Sequence, residues 1–381
     1  MIAYNRQYLD NREVQEQAAE AVAKNVITAG EQTRIVEAYP YNLYTPNIYV
    51  RIGLFLLTVL VSACCLGLYM LMFGAGFSVS IALFGLISYV VLELFIHNGG
   101  TYRSGVDDAL LWVGGGLVLC GINFAVDHIS PAAQSLIICL LAVGGVVRYA
   151  DRLMALVAYG ALLSMIFHLV AGMGGFARAL LPFLLMGVSV ILYFLFTRLL
   201  AEDRLRHYHS CGVFLRVAAL LSFYLAGNYY MVRELNGLLS GGSGTVALGW
   251  LWWVLTAITP IIYIVKGIQK KDDVLLWTGM ALVAAAIFTV RYYYHLLPAE
   301  LAMIIGGSVL IAGAYGLIRY LRVPRRGFTS DYPEDPHPLG NLPVEGLILA
   351  ESFHAAGTAP EGPGFQFGGG SGGGGGAGGG Y

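Results

Sequence analysis

Glu93 and His97 stand four residues apart in an apolar run, a spacing that puts both on one face of a helix. Arg216 lies at a comparable depth in another apolar run far downstream. A charge inside hydrocarbon is costly unless paired or wetted, so such residues mark ion paths, proton relays and ligand sites. The pattern points to an intramembrane polar pair, Glu93 with Arg216, and His97 beside it. The competing reading lets each long side chain snorkel separately to the nearer interface.

A second constellation gathers at the opposite ends of the odd-numbered apolar runs. It comprises Asn123, Asp127, His128 and His168, then Asn228, Arg233, Glu234, Arg291 and His295. These types suit an outer vestibule for an ion or small polar solute, and equally an ordinary wetted rim. Asp127, His128, His168 and His295 include metal-compatible ligands, but no spacing recommends zinc. The chain has no phosphate-binding Walker loop, no H-E-x-x-H helix and no G-x-S-x-G elbow. Neither catalytic residues nor a metal or other cofactor is therefore expected, and the protein reads as a non-enzyme.

The elements that must position these residues follow from composition. Apolar residues make up 57% of the chain and charged ones 12%, about half the usual charged share of a soluble domain, which points to a polytopic membrane protein. Ten runs approach the roughly 20 residues needed to cross hydrocarbon. They fall at about 51–73, 77–97, 109–126, 132–148, 153–171, 178–198, 212–232, 247–265, 273–291 and 299–320. The expected fold is an all-α membrane bundle of about ten spans. Pro260 interrupts the eighth and should cost the Thr256 carbonyl its intrahelical partner.

Basic residues give an independent check on this threading. Of the 22 Lys and Arg, eighteen fall in the N-terminal region, the loops after even-numbered spans and the C-terminal region; three, Arg178, Arg233 and Arg291, fall in the opposite loops. The positive-inside rule then places both termini of a multi-pass cell-membrane protein in the cytoplasm and favours an even number of spans. The balanced net charge of −1 gives no reason to expect a nucleic-acid partner. Cys64, Cys65, Cys120, Cys139 and Cys211 read as small apolar-segment residues without metal-ligand spacing.

One octet recurs. Asp107-Asp108-Ala109-Leu110-Leu111-Trp112-Val113-Gly114 returns as Asp272-Asp273-Val274-Leu275-Leu276-Trp277-Thr278-Gly279, and each copy is followed by an apolar stretch and then by Pro131 or Pro298. The Asp pair is suited to capping a helix start and facing the positive end of its dipole. Both copies open spans that run in the same direction, so the expected internal repeat is parallel, spans 1–4 against spans 7–10. Gly114 to Gly116, Gly144 with Gly145, and Gly306 with Gly307 suit close helix packing.

Residues 1–48 read as a cytoplasmic helical N-terminal domain, ahead of a transmembrane domain over 49–322 and a disordered Pro/Gly-rich cytoplasmic tail over 323–381. Arg12 to Val26 has helical periodicity, and Thr28 can cap a second helix through Glu31. With Ile27, Thr28, Glu31, Gln32 and Ile35 forming a G-x-I-[ST]-x-x-Q-like turn, the chain resembles an uncharacterised family of bacterial predicted polytopic membrane proteins. That resemblance implies an architecture, a short helical domain before a bundle of spans, and no activity. The expected function is a membrane anchor or sensor working through its cytoplasmic ends, with the bilayer and a cytoplasmic protein as partners. The alternative is a small-solute or ion transporter or channel with its path near Glu93 and Arg216.

Overall fold

Each apolar run becomes a helix because a backbone in hydrocarbon must satisfy its own hydrogen bonds. In the computed structural model the described residues are 2–24, 26–73, 76–126, 128–240 and 248–293, with short helical pieces inside 304–319. Two helices precede the bundle, α1 (Arg6–Ala23) and α2 (Ala29–Ala38). The long helices are α3 (Ile48–Phe73), α4 (Phe77–Gly99), α5 (Val106–Ala125), α6 (Pro131–Tyr149), α7 (Arg152–Ala171), α8 (Gly175–Leu200) and α9 (His209–Gly227). A short α10 (Tyr229–Ser240) leads to α11 (Gly249–Lys270) and α12 (Asp273–Tyr293). Among the described residues nine helices are long and apolar enough to span a bilayer. The tenth expected run, 299–320, and the tail, 323–381, lie outside the described residues apart from those pieces.

Local signals account for where helices start. Asn5 caps α1, Ser130 precedes Pro131 at the start of α6, and the Asp151 carboxylate accepts from the Met154 amide at 2.7 Å to open α7. Thr28 and Glu31 form the anticipated capping box, with Glu31 accepting from the Thr28 amide at 2.8 Å. That bond lowers the Glu31 pKa.

Span 7 was expected to run unbroken to about 232, but α9 stops at Gly227. Asn228 leaves the helix with ψ near 130° and its amide oxygen accepts from the Tyr230 amide at 2.9 Å, so it starts α10 instead. At Pro260 the helix continues. The Thr256 hydroxyl donates to the Trp252 carbonyl at 2.7 Å and accepts from the Tyr229 amide at 3.0 Å, tying α10 to α11 beside the proline turn.

Among the described residues the buried apolar side chains gather into two larger cores and one small cluster. Leu92 and Ile96 of α4 pack with Leu110, Leu111, Ala142, Met154 and Ala158, and with Tyr4 and Leu9 from the N-terminal segment. Leu220 and Tyr224 pack with Tyr263, Leu275 and Leu282. Ala150, Ala155 and Cys211 form the small cluster where α7 meets α9. Close approach of α4 and α5 depends on Gly85, where an added Cβ would lie 2.9 Å from the Gly114 carbonyl oxygen.

Candidate functional site

The end of the bundle that receives α1, called here the proximal end, concentrates the buried charge. Its construction begins with Asp107, 3% exposed in the first turn of α5. The cap position is Gly105, so Asp107 turns back to the preceding loop. One carboxylate oxygen accepts from the Ser104 amide at 2.7 Å and the Ser104 hydroxyl at 2.9 Å. The other accepts from the Arg103 amide at 2.7 Å and the Tyr4 phenol at 3.2 Å. Gly105, at φ 95°, is required because a Cβ would collide with the Arg51 carbonyl oxygen of α3.

Tyr4 is one of three fastenings for the N-terminal segment. The Ala3 amide donates to the Arg148 carbonyl at 2.7 Å, and Asp10 pairs with Arg206, with His207 Nε2 at 3.3 Å. Burial beside Asp107 and Asp108 pushes the Tyr4 phenol pKa well above its usual value. Asn11 and Gln15 hold α2 by donating to the carbonyls of Pro40 and Tyr39, both at 2.7 Å.

Glu93 and Arg216 do not pair with each other. Glu93 takes Arg148 in a two-pronged bond, both contacts 2.7 Å, and accepts from the Tyr149 phenol at 2.9 Å. Arg216 pairs with Asp272 and stands over the Tyr193 ring, 5.5 Å from its centroid. The reason is geometric: Glu93, in the last third of α4, meets the end of α6, whereas Arg216, two turns into α9, meets Asp272 at the start of α12. His97 is exposed at the end of α4. Arg148 closes the expected run 132–148 and Asp272 opens the second octet, so the partners stand at positions legible in the sequence although their pairing is not. Asp272 also does cap, accepting from the Val274 amide at 3.1 Å.

Of the second constellation, Asp127 and His295 lie outside the described residues. Asn123, His128, His168, Arg233, Glu234 and Arg291 are exposed. Asn228 alone of those described is buried, at 3% exposed; its amide donates to the Tyr224 phenol and the Thr289 hydroxyl, both at 3.0 Å. Arg233 stacks on Tyr293 at 4.9 Å and Asn123 bonds its own helix at Leu119, so neither is drawn toward a common centre with Asn228.

Beside the Asp107 turn, a cavity of about 490 Å³ opens between the starts of α3, α5 and α7. Arg51, Arg103 and Arg152 line its polar side, together with Asp108 and Asp151. Asp108 accepts from Arg51 Nε at 2.8 Å and Nη2 at 2.7 Å, and Asp151 is occupied as the α7 cap. Nothing in the sequence reading singled out these three arginines; their convergence comes from three separate helix starts.

No protein-family model, curated protein or solved structure matches the chain. The resemblance of its N-terminal turn to a bacterial membrane family therefore carries no further than the helices themselves do: this is an integral, multi-span membrane protein in contact with lipid.

Proposed function

We propose that the chain is a non-enzymatic membrane anchor or sensor whose working surface is the α1–α2 pair, held as a fixed platform on the proximal end of the bundle. The observation that carries this reading is the fastening of one short segment at Ala3, Tyr4 and Asp10 to three different parts of the bundle. The exposed charge left outward is acidic on balance, Glu13, Glu16, Glu20, Glu31 and Glu37 against Arg6 and Arg34, with Glu16 also paired to Arg12. A basic segment of an aqueous protein is the matching partner chemistry. The eighteen-to-three distribution of basic residues supports a cytoplasmic position for this end.

The same reading treats the bundle as a parallel duplication. Arg51 of α3 meets Asp108 of the first octet, and Arg216 of α9 meets Asp272 of the second, so the first span of each unit is tied to the repeated Asp pair. The register differs by one residue, second Asp in one copy and first in the other.

A photo-crosslinking side chain at exposed Gln17, in the full chain in native membranes, tests the platform. The expected result is a discrete protein adduct that disappears when Glu13, Glu16 and Glu20 are changed together to Gln. Saturable flux of a small solute into sealed vesicles, abolished by Glu93→Gln, would instead support the transporter reading.

A further inference from the structure

We propose that the cavity bounded by Arg51, Arg103 and Arg152 is a binding site for an anionic, phosphate-bearing lipid. The argument starts from charge. Three arginines line one space against two carboxylates, an excess of one positive charge, with Arg51 paired to Asp108 and the Asp151 carboxylate turned to the Met154 amide as a helix cap. Among the described residues no carboxylate lies within ion-pair reach of Arg103 or Arg152. Arg152 reaches a neutral hydroxyl, Ser210 Oγ at 3.3 Å, and its Nε is buried without an acceptor. A buried donor left unmade is costly, and planar guanidinium forks match phosphate oxygens in geometry and charge.

The other side of the cavity decides between a free anion and an amphiphile. Ile48, Ile52, Leu56, Leu153 and Phe214 line it, and each is between 38% and 63% exposed. In a multi-span protein those exposed apolar groups face acyl chains, so the cavity is open sideways to the bilayer while its cationic side lies at the helix starts. An anionic headgroup on the arginines with its first methylenes along this wall satisfies both sides at once. The volume of about 490 Å³ falls within the range of small-molecule sites. Arg103, Asp108 and Asp151 also line the narrow cleft against Tyr4, so the site adjoins the α1 fastening without depending on the role proposed for it.

The test uses the purified full chain in neutral detergent, with bound lipid counted by native mass spectrometry. Phosphatidylglycerol, phosphatidylcholine and inorganic phosphate are the three probes. Phosphatidylglycerol is expected to be retained at least tenfold more strongly than phosphatidylcholine, and to resist displacement by an equal concentration of inorganic phosphate. The double change Arg103→Gln, Arg152→Gln should weaken retention at least tenfold, whereas Arg178→Gln, outside the cavity, leaves it unchanged. Should the double variant fail to accumulate, Phe214→Trp fills the apolar side while keeping all three guanidiniums and should also lower retention. Equal retention of the two lipids, displacement by phosphate at matched concentration, an equal loss in Arg178→Gln, or full retention in Phe214→Trp overturns the proposal.

Discussion

The Tyr4 phenol donates to the Asp107 carboxylate at 3.2 Å, joining the start of the chain to the first turn of α5. Tyr4 is 7% exposed and Asp107 3%, so neither group has water to fall back on. Removing the donor and removing the acceptor should therefore differ in cost. Tyr4→Phe keeps the ring and loses one bond, an expected destabilisation of about 1 kcal/mol. Asp107→Ala also strands the Arg103 and Ser104 amides, with an expected cost of about 3 kcal/mol. Thermal unfolding of the full chain in one detergent checks the order.

Ionising Tyr4 should release α1. Its pKa is raised by burial and by Asp107, so the docked state is fully favoured below the ordinary phenol value of about 10 and loses stability as pH rises through the folded value. Hydrogen exchange of α1 amides, referred to intrinsic rates, should show protection that holds from about pH 7 to 9 and falls above about 10. Tyr4→Phe should flatten that alkaline loss. Glu31 gives the opposite sign: its lowered pKa means the capping-box contribution is present above the unfolded carboxylate value and lost as pH falls through the folded one.

Double-mutant cycles should assign the intramembrane charges. Glu93→Gln with Arg148→Ala should show coupling of about 0.5–1 kcal/mol, a modest figure because both side chains are more than a third exposed. Glu93→Gln with Arg216→Ala should show none. Arg216→Ala alone should cost about 3 kcal/mol, because Asp272 is 20% exposed and would lose its counter-charge.

Replacing Gly85 by Leu should separate α4 from α5. An added Cβ already sits 2.8 Å from the Val118 amide nitrogen, and backbone cannot move aside as a side chain does. The expected loss is about 3 kcal/mol or failure to accumulate, with Gly116→Ala, which meets open space, as the neutral comparison.

Helix identity was the most legible feature, because it depends on run length and on the hydrogen-bonding demand of hydrocarbon. Nine of the expected runs are helices, with the largest departures at α9, which stops at Gly227 rather than 232, and at α11, which continues to Lys270 rather than 265. Nothing in a run of Leu, Ala and Tyr distinguishes a helix that continues from one in which Asn228 finds Tyr224 and Thr289 across the fold. The expected Arg12–Val26 helix begins earlier, at Arg6, since Asn5 rather than apolar periodicity sets its start. Tertiary partners were the least legible. Glu93 and Arg216 were recognised as charges requiring partners, yet choosing between Arg148 and Arg216 requires knowing which helix ends meet. The three cavity arginines stand at separate helix starts, and no local spacing relates them.

Hydrogen exchange of the α1 amides in the full chain, wild type against the double variant Tyr4→Phe, Asp10→Ala, tests the central claim most directly, namely that the N-terminal segment is fixed to the bundle by its side chains rather than tethered beside it. The account predicts protection of α1 at least about tenfold stronger in the wild type than in the double variant. Equal protection of α1 in the two chains would show a segment that the bundle does not hold and contradict the account.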